Sequence, residues 1–278
     1  MDFGFLPPPP PLAHIVKTAW FARGSRAEFD RAEPIVPDGC IELVFNLGDP
    51  FEHVDETGAR RRQPRDLLVG PSLRPTIAVP TGDVDLLGLR FRPGRTSAFL
   101  RTPMSALTDQ LIAISSVLSG ADRVLDELRE RPREQRLAHL SAAFAGRARA
   151  ADSRPSPAAV RLSLDAIDRH RGTVSIETLS GLTGVSRRHL ERQFRDEVGL
   201  GAKHIARIAR VHHALELITT HASFSGADIA AHCGYSDQAH LVRECRELTG
   251  ATPSRLTSKE TTLAILMRHT ADPNHAQS

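Results

Sequence analysis

The sequence predicts an α+β protein: an N-terminal β-rich barrel or sandwich with accessory helices, then an all-α domain holding two helix-turn-helix units. Three observations carry this. Short apolar runs alternate with Pro/Gly turns up to residue 118. Residues 146–157, GRARAADSRPSP, keep no amphipathic period. From residue 158 the chain reads as helix, and one segment recurs at an offset of 50 residues. The expected boundaries are therefore a β-rich domain over 1–145, a linker over 146–157, a helical domain over 158–257 and a tail over 258–278. A chain of 278 residues, 40% apolar, has material for a core in each domain.

In the N-terminal part the punctuation comes first. Pro7 to Pro11, Pro37-Asp38-Gly39, Leu47-Gly48-Asp49-Pro50, Gly70-Pro71, Thr81-Gly82-Asp83 and Arg92-Pro93-Gly94 mark turns. Between them Ile41–Leu47, Leu67–Val69, Ile77–Val79 and Val84–Phe91 read as strands. Leu107–Leu118 reads as a helix. Val124, Leu125, Leu128, Leu137, Leu140 and Phe144 then form apolar stripes broken at Pro132, which predicts two helices meeting at a turn. Those helices either pack on the β-domain, the favoured reading, or offer a dimer surface. Trp20, Phe21 and Cys40 are expected in the core. Asp38, Glu42 and Arg90 stand either as polar groups of a pocket or as a structural ion pair.

The helical part contains the repeat. Ser175 to Phe194 resembles Ser225 to Cys245: Leu179 aligns with Ile229, Gly184 with Gly234 and Ser186 with Ser236. One inserted residue then pairs Leu190 with Leu241, and Gly199 and Gly250 close the units. Each unit reads as a short helix with an apolar face (Ile176, Leu179 and Leu182, or Ile229 and Ala230), followed by a Gly suited to positive φ. An apolar plug comes next, Val185 or Tyr235. An N-cap serine follows, Ser186 or Ser236, and then a second helix. Ile205, Ile208, His212 and Leu215 lie at helical spacing between the units. A helix over 203–219 would be about 25 Å long, able to hold two reading helices near the ~34 Å period of one DNA turn.

The outer faces carry Arg187, Arg188, Glu191 and Arg192, then Gln238, His240 and Arg243. Arginine suits guanine edges and phosphates, glutamine suits adenine and glutamate can accept from cytosine. Glu191 has a second reading, an i, i±3/4 pair with Arg188 or Arg195. Placement matters more than abundance. Lys17, Lys203 and Lys259 are the lysines, so 33 of 36 basic residues are arginine, as GC-rich coding alone would produce. Residues 184–210 hold seven Lys/Arg against three acids, while residues 225–257 hold three against four. The first unit is thus expected to dominate phosphate affinity, through Arg187, Arg192 and Arg195.

Other classes find little support. The N-terminal segment MDFGFLPPPPPLAH has neither the basic nor the apolar region of a signal peptide, and no apolar run reaches membrane-span length. Cys40, Cys233 and Cys245 lack CxxC spacing. No histidine pair has metal-ligand spacing, and His212 reads as a packed neutral imidazole. The expectation is a cytoplasmic protein, not an enzyme, with no metal, cofactor or catalytic residue. The rival reading is a β-domain enzyme or ligand-binding module with a helical half for protein contacts.

Residues 158–257 resemble the DNA-binding domain of AraC/XylS-type transcriptional regulators. The likeness is carried by Gly184-Val185-Ser186-Arg187-Arg188-His189-Leu190, Phe194 and Gly199. Ile229-Ala230, Gly234-Tyr235-Ser236-Asp237-Gln238-Ala239-His240-Leu241 and Gly250-Ala251-Thr252-Pro253-Ser254 complete it. Departures are Cys245 for a usual Phe, Ala202 for a common Pro, Ser180 for Ala, and Arg255-Leu256 where an aromatic and Arg are typical. The resemblance implies base-facing positions at Arg188, Glu191, Arg192, Gln238, Ala239, Val242 and Arg243, with Arg187 and His240 beside them. It implies double-stranded DNA as partner, and it admits RNA polymerase, an unidentified small-molecule effector and a second copy of the chain. Less specifically, Pro37–Leu43, Val69-Gly70-Pro71 and Gly88–Gly94 resemble the β-rich N-terminal domain of an AraC-like subset, for which a cupin-like sensor is the fold-level analogy.

Overall fold

The computed structural model describes residues 2–29, 34–54, 57–221 and 223–257. Among these residues ten strands belong to the N-terminal domain: β1 (Asp2–Leu6), β2 (Val16–Gly24), β3 (Pro34–Ile35), β4 (Glu42–Asn46), β5 (Phe51–Val54), β6 (Arg60–Arg62), β7 (Asp66–Val69), β8 (Thr76–Pro80), β9 (Val84–Phe91) and β10 (Leu111–Ala113). They make a six-stranded sheet, β1-β2-β9-β4-β7-β10, and a four-stranded sheet, β3-β8-β5-β6, antiparallel throughout. All four strands expected from the sequence form.

Alternation along the strands builds two cores. Leu43 and Phe45 of β4, with Leu87, Leu89 and Phe91 of β9, enter the larger one. Helices α1 (Thr96–Leu100), α2 (Ala121–Glu130) and α3 (Arg133–Asp152) cover it with Phe99, Leu128, Leu140 and Phe144. Trp20 and Val44, on the opposite face, pack with Phe51 of the second sheet in a smaller cluster. Gly88 makes room for this: a Cβ there would lie 2.1 Å from Cε2 of Trp20.

Two expectations fail in this half. Leu107–Leu118 is not a helix. Leu111, Ile112 and Ala113 pair with Val69, Leu68 and Leu67, between short 3-10 turns at Met104–Leu107 and Ile114–Ser116. The backbone N–H of Ser115 donates to Asp66 Oδ2 at 2.9 Å, so the open edge of β7 outweighs local helical periodicity. The linker is also shorter than expected, because α3 continues to Asp152. Ala148 and Ala151 are small enough to bury in the same core as Leu12, and Arg147 Nε donates to the Phe99 carbonyl at 2.5 Å. The connection is Ser153–Pro157. The expected helix pair does form, with Pro132 as the N-cap of α3, and it packs on the sheet.

The C-terminal domain is helical: α4 (Ala158–Arg169), α5 (Ile176–Thr183), α6 (Arg187–Val198), α7 (Ala202–Thr220), α8 (Gly226–His232), α9 (Gln238–Thr249) and α10 (Pro253–Thr257). The expected tail at 258–278 lies outside the described residues. Leu179, Leu190, Phe194, Ile205, Ile208, Cys245 and Leu248 share one core; Ala214, Ile229, Tyr235 and Leu241 share another. Leu182 departs from its expected inner face and is 50% exposed. Leu179 alone fills the buried position on α5, and Ile176 is half-buried.

The domains are in contact. Thr108 Oγ1 donates to the Gly199 carbonyl at 2.7 Å, Ser97 bonds Glu197, and Val36 packs on the helical core. His212 Nε2 lies 3.1 Å from the Pro37 carbonyl. Next to that contact, Asp38, Glu42 and Arg90 form a buried ion network, with Arg90 Nε 2.5 Å from Glu42 Oε1 and 3.3 Å from Asp38 Oδ2. Burial alone would lower the guanidinium, but the two carboxylates outweigh it and hold Arg90 firmly protonated. Burial likewise drives the Cys40 thiol far up, so this cysteine is an inert core residue.

Candidate nucleic-acid interface

Capping side chains set both turns. Ser175 Oγ accepts from the Thr178 N–H at 3.0 Å to start α5. Gly184, at φ +70°, ends that helix, and Ser186 Oγ accepts from the His189 N–H at 3.3 Å to start α6. In the second unit Ser225 and Asp228 form a capping box on α8, and Gly234 also has φ +70°. The expected cap at Ser236 is corrected here. Asp237 Oδ1 accepts from the His240 N–H at 2.7 Å, and Ser236 Oγ donates to Asp237 Oδ2 at 3.2 Å. The residue inserted in this unit moves the helix start on by one, and the carboxylate is the stronger acceptor.

The predicted reading residues are all on α6 and α9, but they are not equally free. On α6, Arg188 is exposed and has no side-chain partner among the described residues. Arg187 Nη1 is held 2.6 Å from Glu177 Oε1, across the turn on α5. Arg192 Nη2 donates to His189 Nδ1 at 3.0 Å, and both lie on the exposed side. Arg195 Nε lies 3.4 Å from Glu191 Oε1, the pairing offered as the second reading of Glu191. That carboxylate also presses on the start of α7, since a Cβ at Gly201 would lie 2.4 Å from Glu191 Oε1. An anion is favoured at such a helix start.

On α9, Arg243 and Ala239 are exposed, and Arg243 has no hydrogen-bond or ion-pair partner among the described residues. Gln238 is exposed but folds across the start of α8, its Nε2 2.5 Å from where a Gly226 Cβ would stand. His240 is held in place. Its Nδ1 is 3.2 Å from Ser236 Oγ, its ring meets Tyr235 edge-on at 5.2 Å, and its Nε2 is 3.6 Å from Glu244. Val242 is half-buried.

The charge partition expected from the sequence needs correcting. Arg207 and Arg210 counted there toward the first unit's excess. The structure turns both toward the second unit: Arg210 Nη2 donates to Glu244, and Arg207 Nη2 lies 2.6 Å from Glu247 Oε2. Two of the four acids that make the second unit negative, Glu244 and Glu247, are therefore neutralised by arginines of the connecting helix. A signal was present, because Glu244 falls on the inward stripe of Leu241, Cys245 and Leu248. A carboxylate on such a stripe requires a cation from another element.

Among the described residues no group of His, Cys, Asp and Glu is arranged to hold a metal ion, and no helix is long and apolar enough to cross a membrane.

Residues 179–259 match a family model described as a helix-turn-helix domain, and residues 5–113 match a domain of unknown function, DUF6597. Uncharacterized HTH-type transcriptional regulators of Staphylococcus aureus are 32% identical over 82 residues, 30% of this chain and only 11% of theirs. Among solved structures, a probable AraC family transcriptional regulator from Rhodopseudomonas palustris is similar at 28% identity. That match covers 37% of this chain and 96% of the other, with a TM-score of 0.34. ToxT from Vibrio cholerae is similar at 11% identity over 86% of this chain and 97% of its own, with a TM-score of 0.48. The repeated turn geometry and the family match agree: the C-terminal part of this chain is a helix-turn-helix domain, and it follows a β-rich domain that matches a family of unknown function.

Proposed function

We propose that the whole chain is a sequence-specific transcriptional regulator that inserts α6 and α9 into successive major grooves of double-stranded DNA, with the β-rich domain as its regulatory input. One observation carries this reading. Two helices of one structural repeat each present on the outer face an arginine with no hydrogen-bond or ion-pair partner among the described residues, Arg188 on α6 and Arg243 on α9. In this reading Arg188, Arg192 and Arg243 address guanine edges, Gln238 addresses adenine, and Ala239 and Val242 touch thymine methyls. Arg187, Arg195 and His240 flank the bases toward phosphate. Glu191, engaged with Arg195 and the start of α7, orients its neighbours rather than accepting from cytosine. An effector of the β-rich domain, RNA polymerase and a second copy of the chain are the further partners this reading admits.

The test is selection of duplexes from a randomised library by the full chain, followed by gel shift with Arg188→Ala/Arg243→Ala. Loss of preference for the selected sequence, with weak general binding retained, is the expected result. Unchanged preference in the double variant overturns the site. Failure to enrich any sequence overturns the DNA-reading function.

A further inference from the structure

Glu244 stands on a recognition helix but is 5% exposed and faces the protein. Its two oxygens accept from Arg210 Nη2 at 2.9 and 2.8 Å, and Arg207 Nε lies 3.6 Å from Oε1. Arg207 also reaches Glu247 at 2.6 Å. Two arginines one turn apart on α7 thus meet two carboxylates one turn apart on α9. The Arg210 guanidinium further lies 4.5 Å over the ring of Tyr235, the plug of the α8–α9 turn.

This network joins two bodies. The start of α7 shares a core with the first unit, where Leu190, Phe194, Ile205 and Ile208 pack together. The second recognition helix adds Cys245 and Leu248 to that core. Apolar contacts, being non-directional, tolerate small shifts in register. A desolvated carboxylate between two guanidinium groups does not, because any other register leaves a charge buried without its partner.

We infer that Glu244 is a positioning residue: through Arg210 and Arg207 it locks α9 to the connecting helix and so sets the half-site spacing the domain accepts. The inference rests on the proposed reading of α6 and α9 as the DNA-reading helices. It assigns Glu244 no contact with DNA.

The experiment uses the full chain and its Glu244→Gln variant, which keeps shape and removes charge. Duplexes selected by the unsubstituted protein are lengthened or shortened by one base pair between the half-sites. The unsubstituted protein should lose about 10-fold in affinity per change, comparable to a poor base match. Glu244→Gln should lose less than about 3-fold, with affinity for a duplex carrying the first half-site alone unchanged. A DNA-free arm measures the spin–spin distance between labels at Asp196→Cys and Arg246→Cys; Cys40, Cys233 and Cys245 are buried. The distribution should be narrow in the labelled parent and broad with Glu244→Gln. Retained spacing discrimination with a narrow distribution overturns the inference, as does an equal loss on the single half-site. Should Glu244→Gln fail to fold, Arg210→Lys, which keeps the charge and loses the fork, is carried through the same measurements. The distance arm decides the lock even where no duplex is enriched, an outcome that counts against the DNA-reading function instead.

Discussion

The Pro37 carbonyl of the β-rich domain lies 3.1 Å from Nε2 of His212 on the helix that joins the two helix-turn-helix units. Burial lowers the affinity of this imidazole for a proton. Asp38 opposes that effect, while Lys17 and Arg90 add to it. The neutral ring, donating through Nε2–H, suits the carbonyl.

The sign of the resulting pH dependence follows from linkage. His212 has a folded-state pKa below its ordinary 6.5. Above that pH both states are neutral and stability is at its full value. As pH falls below it, the unfolded chain takes up a proton that the folded chain resists, and stability declines toward the depressed pKa. His212→Gln, which keeps a donor, should flatten the loss of urea stability between about pH 7 and pH 5.5. Half-buried His204, lowered mainly by burial, leaves a residual slope. An unchanged slope in the variant refutes the role given to His212.

Gly199 ends α6 at φ +85°, and a Cβ there would lie 2.5 Å from Pro71 Cγ and 2.9 Å from the Met104 carbonyl. Gly184 has φ +70° but a Cβ there meets nothing within 4 Å. Gly184→Ala should cost about 1 kcal/mol, from backbone strain alone. Gly199→Ala should cost more and also part the domains, seen as faster proteolysis at Ser153–Pro157 with little change at Gly184→Ala. Equal proteolysis rates would show that Gly199 is not a domain contact.

Salt dependence should separate reading arginines from bracing ones. Arg187→Gln and Arg195→Gln, on the phosphate side, should each reduce the slope of log affinity against log salt by about 0.9, whereas Arg188→Gln and Arg243→Gln should chiefly relax sequence preference. Arg207→Gln should leave the slope nearly unchanged, because its guanidinium is already neutralised by Glu247 and Glu244. A full unit of slope lost with Arg207→Gln would place it on the phosphates.

Helix capping gives a direct test of the second turn. Asp237→Ala should cost about 1 kcal/mol in thermal or urea unfolding, as should Ser186→Ala. Ser236→Ala should cost only a few tenths, since Ser236 does not bond the helix N–H groups. A larger effect at Ser236 than at Asp237 would restore the serine as the cap.

The legible features were those decided within a turn or two of chain. Gly184 and Gly234 announce positive φ because a side chain there is strained. Ser186 announces a helix start, and Pro132 separates α2 from α3. Strand β9 was readable end to end from its apolar alternation and flanking turns. Strand β10 was not: Leu111–Ala113 has helical-looking neighbours and is extended because β7 offers it unpaired backbone groups. The end of α3 was missed because Ala148 and Ala151 carry little apolar signal, yet their small size admits close packing.

The sequence by itself determined two domains, a duplicated helix-turn-helix and the outer-face positions from Arg187 to Arg195 and Gln238 to Arg243. These follow from periodicity, turn chemistry and repetition, all local properties. Tertiary structure alone decided which of those charges are free. Arg210 and Glu244, and Arg187 and Glu177, are distant or differently placed in sequence but adjacent in space, and Coulomb attraction depends on that separation. Folding thus leaves Arg188 and Arg243 without a hydrogen bond or ion pair among the described residues, and turns Arg207 and Arg210 inward against Glu244 and Glu247.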